Sequence, residues 1–135
     1  MKKVLADLNI VLDFLNKRNF HEEAARLIDM CMQKELAGFI CAHEITTLSY
    51  FLLKEYKNKR KVIQTLSALF EIFHILAVDE AILREAFLSS VPDYEDAVIE
   101  VSCIKNNIDC IISRNISDFK LSRVATYTPE QFFCL

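Results

Sequence analysis

Short apolar runs alternate with amphipathic helical stretches along this chain, and an acid or a carboxamide stands at the end of most of them. The runs are Lys2–Ala6, Phe39–Ala42, Phe73–Val78, Asp109–Ile112 and Val124–Thr126. Apolar runs this short, with little polar alternation, read as strands buried on both faces. Strands separated by helices imply parallel βαβ units, so the expected class is α/β, with a parallel sheet covered on both sides. Ligands in such sheets sit at the carboxyl ends of the strands, which is where the acids fall.

The helical spacing is clear between the runs. Leu8, Val11, Leu12 and Leu15 recur after the first strand, and His21–Lys34 carries a stripe of Ala24, Ala25, Leu27, Ile28, Cys31 and Met32. Gly38 is expected at a helix end or turn. Further helices are expected from His43 to about Tyr56, Val62 to about Phe70, Glu80 to Leu88 and Pro92 to about Asn106, with a short last one opening at Thr128-Pro129-Glu130. Asp79 and Asp93 are the expected N-caps. Asp13, Asp29 and Asp109 read as surface or capping groups, and Glu95 and Glu100 as solvated.

Composition removes several classes of function. A chain of 135 residues, 53% hydrophobic and 26% charged, is expected to be one domain spanning residues 1–135 with a real core. One Gly cannot build the glycine-rich phosphate loops of P-loop or dinucleotide-binding proteins. Five Cys without Cys-x-x-Cys spacing read as reduced, buried thiols, and three scattered His argue against a Cys/His zinc site. Asp7 interrupts the first apolar run, and no stretch reaches membrane-spanning length, so a cytoplasmic protein with no membrane association is expected. Lys54–Lys61 carries a net charge of +4 within a chain of −3, which leaves −7 on the remainder. Such a division suits an acidic site with a basic rim that steers a polyanion, and equally a solvated turn between two helices.

The acids at strand ends are Asp7, Glu44, Asp96 and an Asn115/Asp118 pair. If their strands lie side by side, they converge in one crevice. Uncompensated carboxylates repel one another, and a bound divalent cation is their usual justification. Asp7 and Glu44 also suit helix N-termini, and Asp96 lies three residues after its expected cap, so each has a structural reading as well. At the last station either Asn115 or Asp118 supplies an oxygen, directly or through water. Asn9 can orient Asp7 or a water, and Ser113 and Arg114 can contact a phosphate. Hard oxygen ligands suit Mg²⁺ or Mn²⁺, which activate water for in-line attack on a phosphodiester.

Asp7-x-Asn9, Glu44 after the second strand, Asp93-Tyr-Glu-Asp-Ala opening a helix, and Ser113-Arg114-Asn115-x-x-Asp118-Phe119 together resemble the PIN domain, over almost the whole chain. The resemblance implies a three-layer α/β/α sandwich around a central parallel sheet of about five strands, and a Mg²⁺- or Mn²⁺-dependent ribonuclease. It assigns Asp7, Glu44 and Asp96 to the metal, with Asn115 where the family often has Asp and Asp118 as a further catalytic acid. Many small members are VapC-type toxins held by a cognate antitoxin, which implies an RNA substrate, an antitoxin partner and a homodimer. Asn115 also motivates a rival reading, a weakened PIN fold that binds RNA or protein. A haloacid-dehalogenase-type phosphatase needs Asp-x-Asp where this chain has Asp7-x-Asn9.

Overall fold

A computed structural model describes residues 1–135, and its strands all run parallel. In chain order the elements are β1 (Lys2–Ala6), α1 (Leu8–Leu15), α2 (His21–Met32), β2 (Leu36–Cys41), α3 (Ala42–Tyr56), α4 (Lys59–Ile72), β3 (His74–Leu76), α5 (Glu80–Glu85), α6 (Tyr94–Lys105), β4 (Cys110–Ile112), β5 (Thr126–Tyr127) and α7 (Pro129–Phe133). One-turn 3₁₀ segments follow α5 and β4, at Ala86–Leu88 and Ile116–Phe119. The sheet order is β3-β2-β1-β4-β5. The chain therefore leaves β1 in one direction for β2 and β3, then returns to β1's other side for β4. That reversal opens a crevice at the carboxyl ends of β1 and β4.

Side chains alternate across the sheet with the strand period of two. Val4, Ala6, Ile40, Cys110 and Ile112 face a core completed by Leu27 and Ile28 of α2, Leu48 and Leu52 of α3, and Val62 and Leu69 of α4. Leu5, Cys41 and Ile111 face the opposite way, onto Ile99 and Cys103 of α6. A smaller cluster ties α5 to α6 through Ile82, Ala86, Ala97, Val98 and Val101. The result is the expected three-layer α/β/α sandwich. No helix is long and apolar enough to cross a membrane.

The caps follow the sequence. Asp79 and Asp93 accept hydrogen bonds from the Ile82 and Asp96 amides at 3.0 and 3.1 Å, and Thr128 with Gln131 forms a capping box on α7. Gly38 departs from its expected place: it lies within β2, which begins earlier, at Leu36. A Cβ there would come within 2.6 Å of Cys31 Sγ and 2.9 Å of the Phe73 ring, so close helix packing requires the glycine. Gly38→Ala is expected to destabilise the protein by about 1–3 kcal/mol through overpacking, measured by urea melts.

Lys54–Lys61 spans the turn from α3 to α4, with Lys57 in the left-handed region and Asn58 capping α4. Glu44 is in the first turn of α3. At 1.5 Å per residue the basic run lies about 15–20 Å from it along the helix. The basic residues form a solvated turn far from the acids rather than a rim around them.

Candidate metal centre

Asp7 is the first residue past β1, and Ser113 the first past β4. The register Ala6↔Ile112 sets them opposite each other at the sheet's topological switch. The Ser113 hydroxyl donates to Asp7 Oδ2 at 2.8 Å and accepts from the Asn115 amide at 3.0 Å. Burial pushes the Asp7 carboxyl above its ordinary range, opposed by the Ser113 hydrogen bond and reinforced by the charges of Asp118 and Glu95.

Glu44 reaches the same crevice from the first turn of α3 and is only 2% exposed. Burial raises its pKa most. A hydrogen bond shared with the Glu95 carboxyl and the charges of Asp7, Glu95 and Asp96 raise it further. Its Oε2 is buried without a hydrogen-bond partner. Asp96, in the first turn of α6, is pushed up to about 7 by burial first and then by Asp7, Asp93, Asp118 and Glu95. The three acids read from the sequence thus act electrostatically on one another.

Glu95, expected in solvent, is half-buried within this group. Its Oε1 accepts from the Thr47 hydroxyl at 3.3 Å, and its backbone carbonyl lies 3.1 Å from His43 Nε2. A ring nitrogen of His43 and carboxylate oxygens of Glu44 and Glu95 lie within 4.8 Å of one another. Burial lowers the His43 pKa. The sequence signal for Glu95 was its place in Pro92-Asp93-Tyr94-Glu95-Asp96, an acidic stretch at a helix start. For His43 it was adjacency to Glu44 alone.

At the fourth station Asp118, on the 3₁₀ turn, is exposed and its charge reaches both Asp7 and Asp96. Asn115 is exposed and contributes its backbone amide to Ser113. Asn9 is half-buried in the first turn of α1. Ser113 is fully buried, so it orients Asp7 instead of meeting a phosphate directly. Arg114 turns its guanidinium to Asp13 Oδ1, at 3.0 Å, and lies over the Phe20 ring.

Two acids assigned to the surface are buried. Asp13 is fully enclosed beneath Arg114 and Arg18, and its carboxyl is raised by burial against the pull of both arginines. Glu100 accepts from the Ser89 hydroxyl at 2.6 Å and from the Arg123 amide at 2.7 Å and guanidinium at 3.2 Å. Burial alone would raise its pKa, but these bonds outweigh burial and lower it. Both are structural anchors that α-helical periodicity alone did not mark.

The ion pairs of the chain engage Asp13, Glu80, Glu85 and Glu100, so no lysine or arginine pairs with Asp7, Glu44, Glu95, Asp96 or Asp118. An all-oxygen acid cluster with an orphaned buried oxygen and no cationic side chain fits a hard divalent ion.

A family model described as PIN domain matches residues 3–117. Among solved structures, that of VapBC2 from Rickettsia felis bound to a DNA fragment from its promoter is 16% identical with a TM-score of 0.70, covering 93% of this chain and 97% of that one. A toxin-antitoxin complex from Klebsiella pneumoniae is 20% identical with a TM-score of 0.69 and the same coverages, 93% and 97%. Mycobacterium tuberculosis VapC20, described as a sarcin-ricin loop cleaving toxin, is 14% identical with a TM-score of 0.67, covering 90% of this chain and 98% of that one. These likenesses establish the fold. No curated protein matches the chain in sequence.

Proposed function

The chain belongs to the PIN-domain family, and from that premise we propose that it is a metal-dependent endoribonuclease, the toxin of a toxin–antitoxin pair. The observation that carries this reading is the group Asp7, Glu44 and Asp96: mutually repelling, displaced upward in pKa, and unpaired by any basic side chain. The similar structures that are toxin–antitoxin assemblies, and the one described as cleaving the sarcin-ricin loop, support the choice of RNA and of an antitoxin partner.

In this reading Asp7, Glu44 and Asp96 hold the ion, and Asp118 completes the acidic set in place of an Asn115 carboxamide. Ser113 fixes the Asp7 carboxylate in one orientation. When bound, Mg²⁺ or Mn²⁺ supplies Lewis acidity toward phosphate and makes water more acidic. In this reading Asn9, half-buried in the first turn of α1, contacts the RNA backbone. The apolar residues Phe87, Leu88 and Tyr94, exposed near the start of α6, support an interface in a homodimer, and the free thiols support a reducing cytoplasm.

Incubating the purified protein with structured and single-stranded RNA tests the reading. Cleavage is expected with Mg²⁺ or Mn²⁺, and its loss is expected on adding a chelator. RNA that is bound but left intact under both conditions would instead support the weakened binding module that Asn115 suggests. Cleavage that persists in chelator would remove the metal from the mechanism.

A further inference from the structure

We infer that His43, Glu44 and Glu95 form a second cation site, which takes a borderline transition-metal ion such as Zn²⁺ or Mn²⁺ in preference to Mg²⁺. Their candidate ligand atoms lie within 4.8 Å of one another. Ligand atoms about 2.1 Å from one tetrahedral ion stand roughly 3.4 Å apart, so closing the site needs side-chain movement of about 1–1.5 Å.

Two further observations point to a ligand here. Glu44 is 2% exposed, and its Oε2 is buried with no hydrogen-bond partner. His43 carries the second orphan, Nδ1. Its Nε2 faces the Glu95 backbone carbonyl at 3.1 Å, and a carbonyl only accepts, so Nε2 holds the ring proton and Nδ1 keeps its lone pair. A histidine whose second nitrogen donates to a backbone carbonyl has the tautomer and fixed orientation of a metal ligand. Glu95 is itself steadied by the Thr47 hydroxyl.

The donor set decides the ion. Mg²⁺ prefers oxygen ligands and retains its waters, whereas imidazole with two carboxylates suits Zn²⁺, Mn²⁺ and their neighbours. His43 and Glu44 come from the start of α3 and Glu95 from the start of α6. An ion here therefore clips together the two helices that carry Glu44 and Asp96. The site shares Glu44 with the proposed catalytic ion, but it does not depend on ribonuclease activity.

The test uses the full chain labelled with ¹⁵N-histidine. Adding Zn²⁺ is expected to move the His43 ring-nitrogen resonances, assigned through His43→Gln, while His21 and His74 serve as internal references. Mg²⁺ alone should leave the His43 ring in place. By calorimetry, His43→Gln and Glu95→Gln should each weaken Zn²⁺ binding by at least about tenfold, with Mg²⁺ uptake by His43→Gln changed less than about twofold. Unmoved His43 resonances at saturating Zn²⁺ would overturn the inference, as would wild-type Zn²⁺ affinity in both variants. Zn²⁺ ligation in a protein that cuts no RNA would uphold this site and reject the ribonuclease reading, so the two fail separately.

Discussion

Asp7→Asn is expected to lower RNA cleavage by at least about 10²-fold while leaving the fold intact. The amide keeps an oxygen to accept from Ser113, so orientation survives, but the charge that attracts the cation is gone. Asp96→Asn should behave alike. Without added metal, the same variants should be more stable than the wild type above neutral pH. Asp96 titrates near pH 7 in the folded chain against 3.8 ordinarily. Between those values the folded state holds a proton that the unfolded state has released, so this group's contribution to stability falls as pH rises through the window. An amide has no such penalty. At pH 8 and without metal, Asp96→Asn should gain on the order of 2 kcal/mol after allowing for solvent screening, which is several degrees in melting temperature. Activity down with stability up is the signature of charges retained for function. If both variants melt below the wild type in chelator at pH 8, the carboxylates are satisfied within the chain and the metal reading loses its physical basis.

Divalent-cation affinity is expected to rise steeply with pH, by about 10- to 100-fold between pH 6 and pH 8. A cation must displace protons from Asp96, near pH 7, and from Asp7 and Glu44, whose pKa values are also raised. Below pH 6 Asp96 holds its proton and competes with the ion; above pH 8 that competition is gone. At a concentration about 100 times the dissociation constant, Mn²⁺ should stabilise the fold by roughly 2.7 kcal/mol. Calorimetry in two buffers of different ionisation enthalpy reads the proton release directly. An affinity flat across this range would mean that the ion, if bound, sits away from these acids.

Much of the site was legible because it is written at element boundaries. Asp7 stands where an apolar run stops, Glu44 two residues past another, and Asp96 three past its N-cap Asp93. Parallel βαβ connectivity carries all such positions to one edge of the sheet. Glu95 was not legible in the same way: it adjoins Asp96, and consecutive helical residues point about 100° apart, so whether one or both face the crevice depends on how α6 is rotated against the sheet. His43 was obscured for the same reason. Asp13 and Glu100 looked like surface acids because periodicity records the average face of a helix, not the arginines that Arg114 and Arg123 bring from distant loops.

By itself the sequence determined the alternation of strands and helices, the caps, and the chemical identity of the acids, since these depend on neighbours only a few residues apart. The tertiary structure alone decided which carboxylates meet, that Ser113 serves Asp7, and that the basic turn lies far from the acids. It also decided that Gly38 is needed for packing against Cys31 and Phe73. Each of these depends on strand order and helix rotation, which bring together side chains as far apart as residues 7 and 113, and no local pattern encodes that distance.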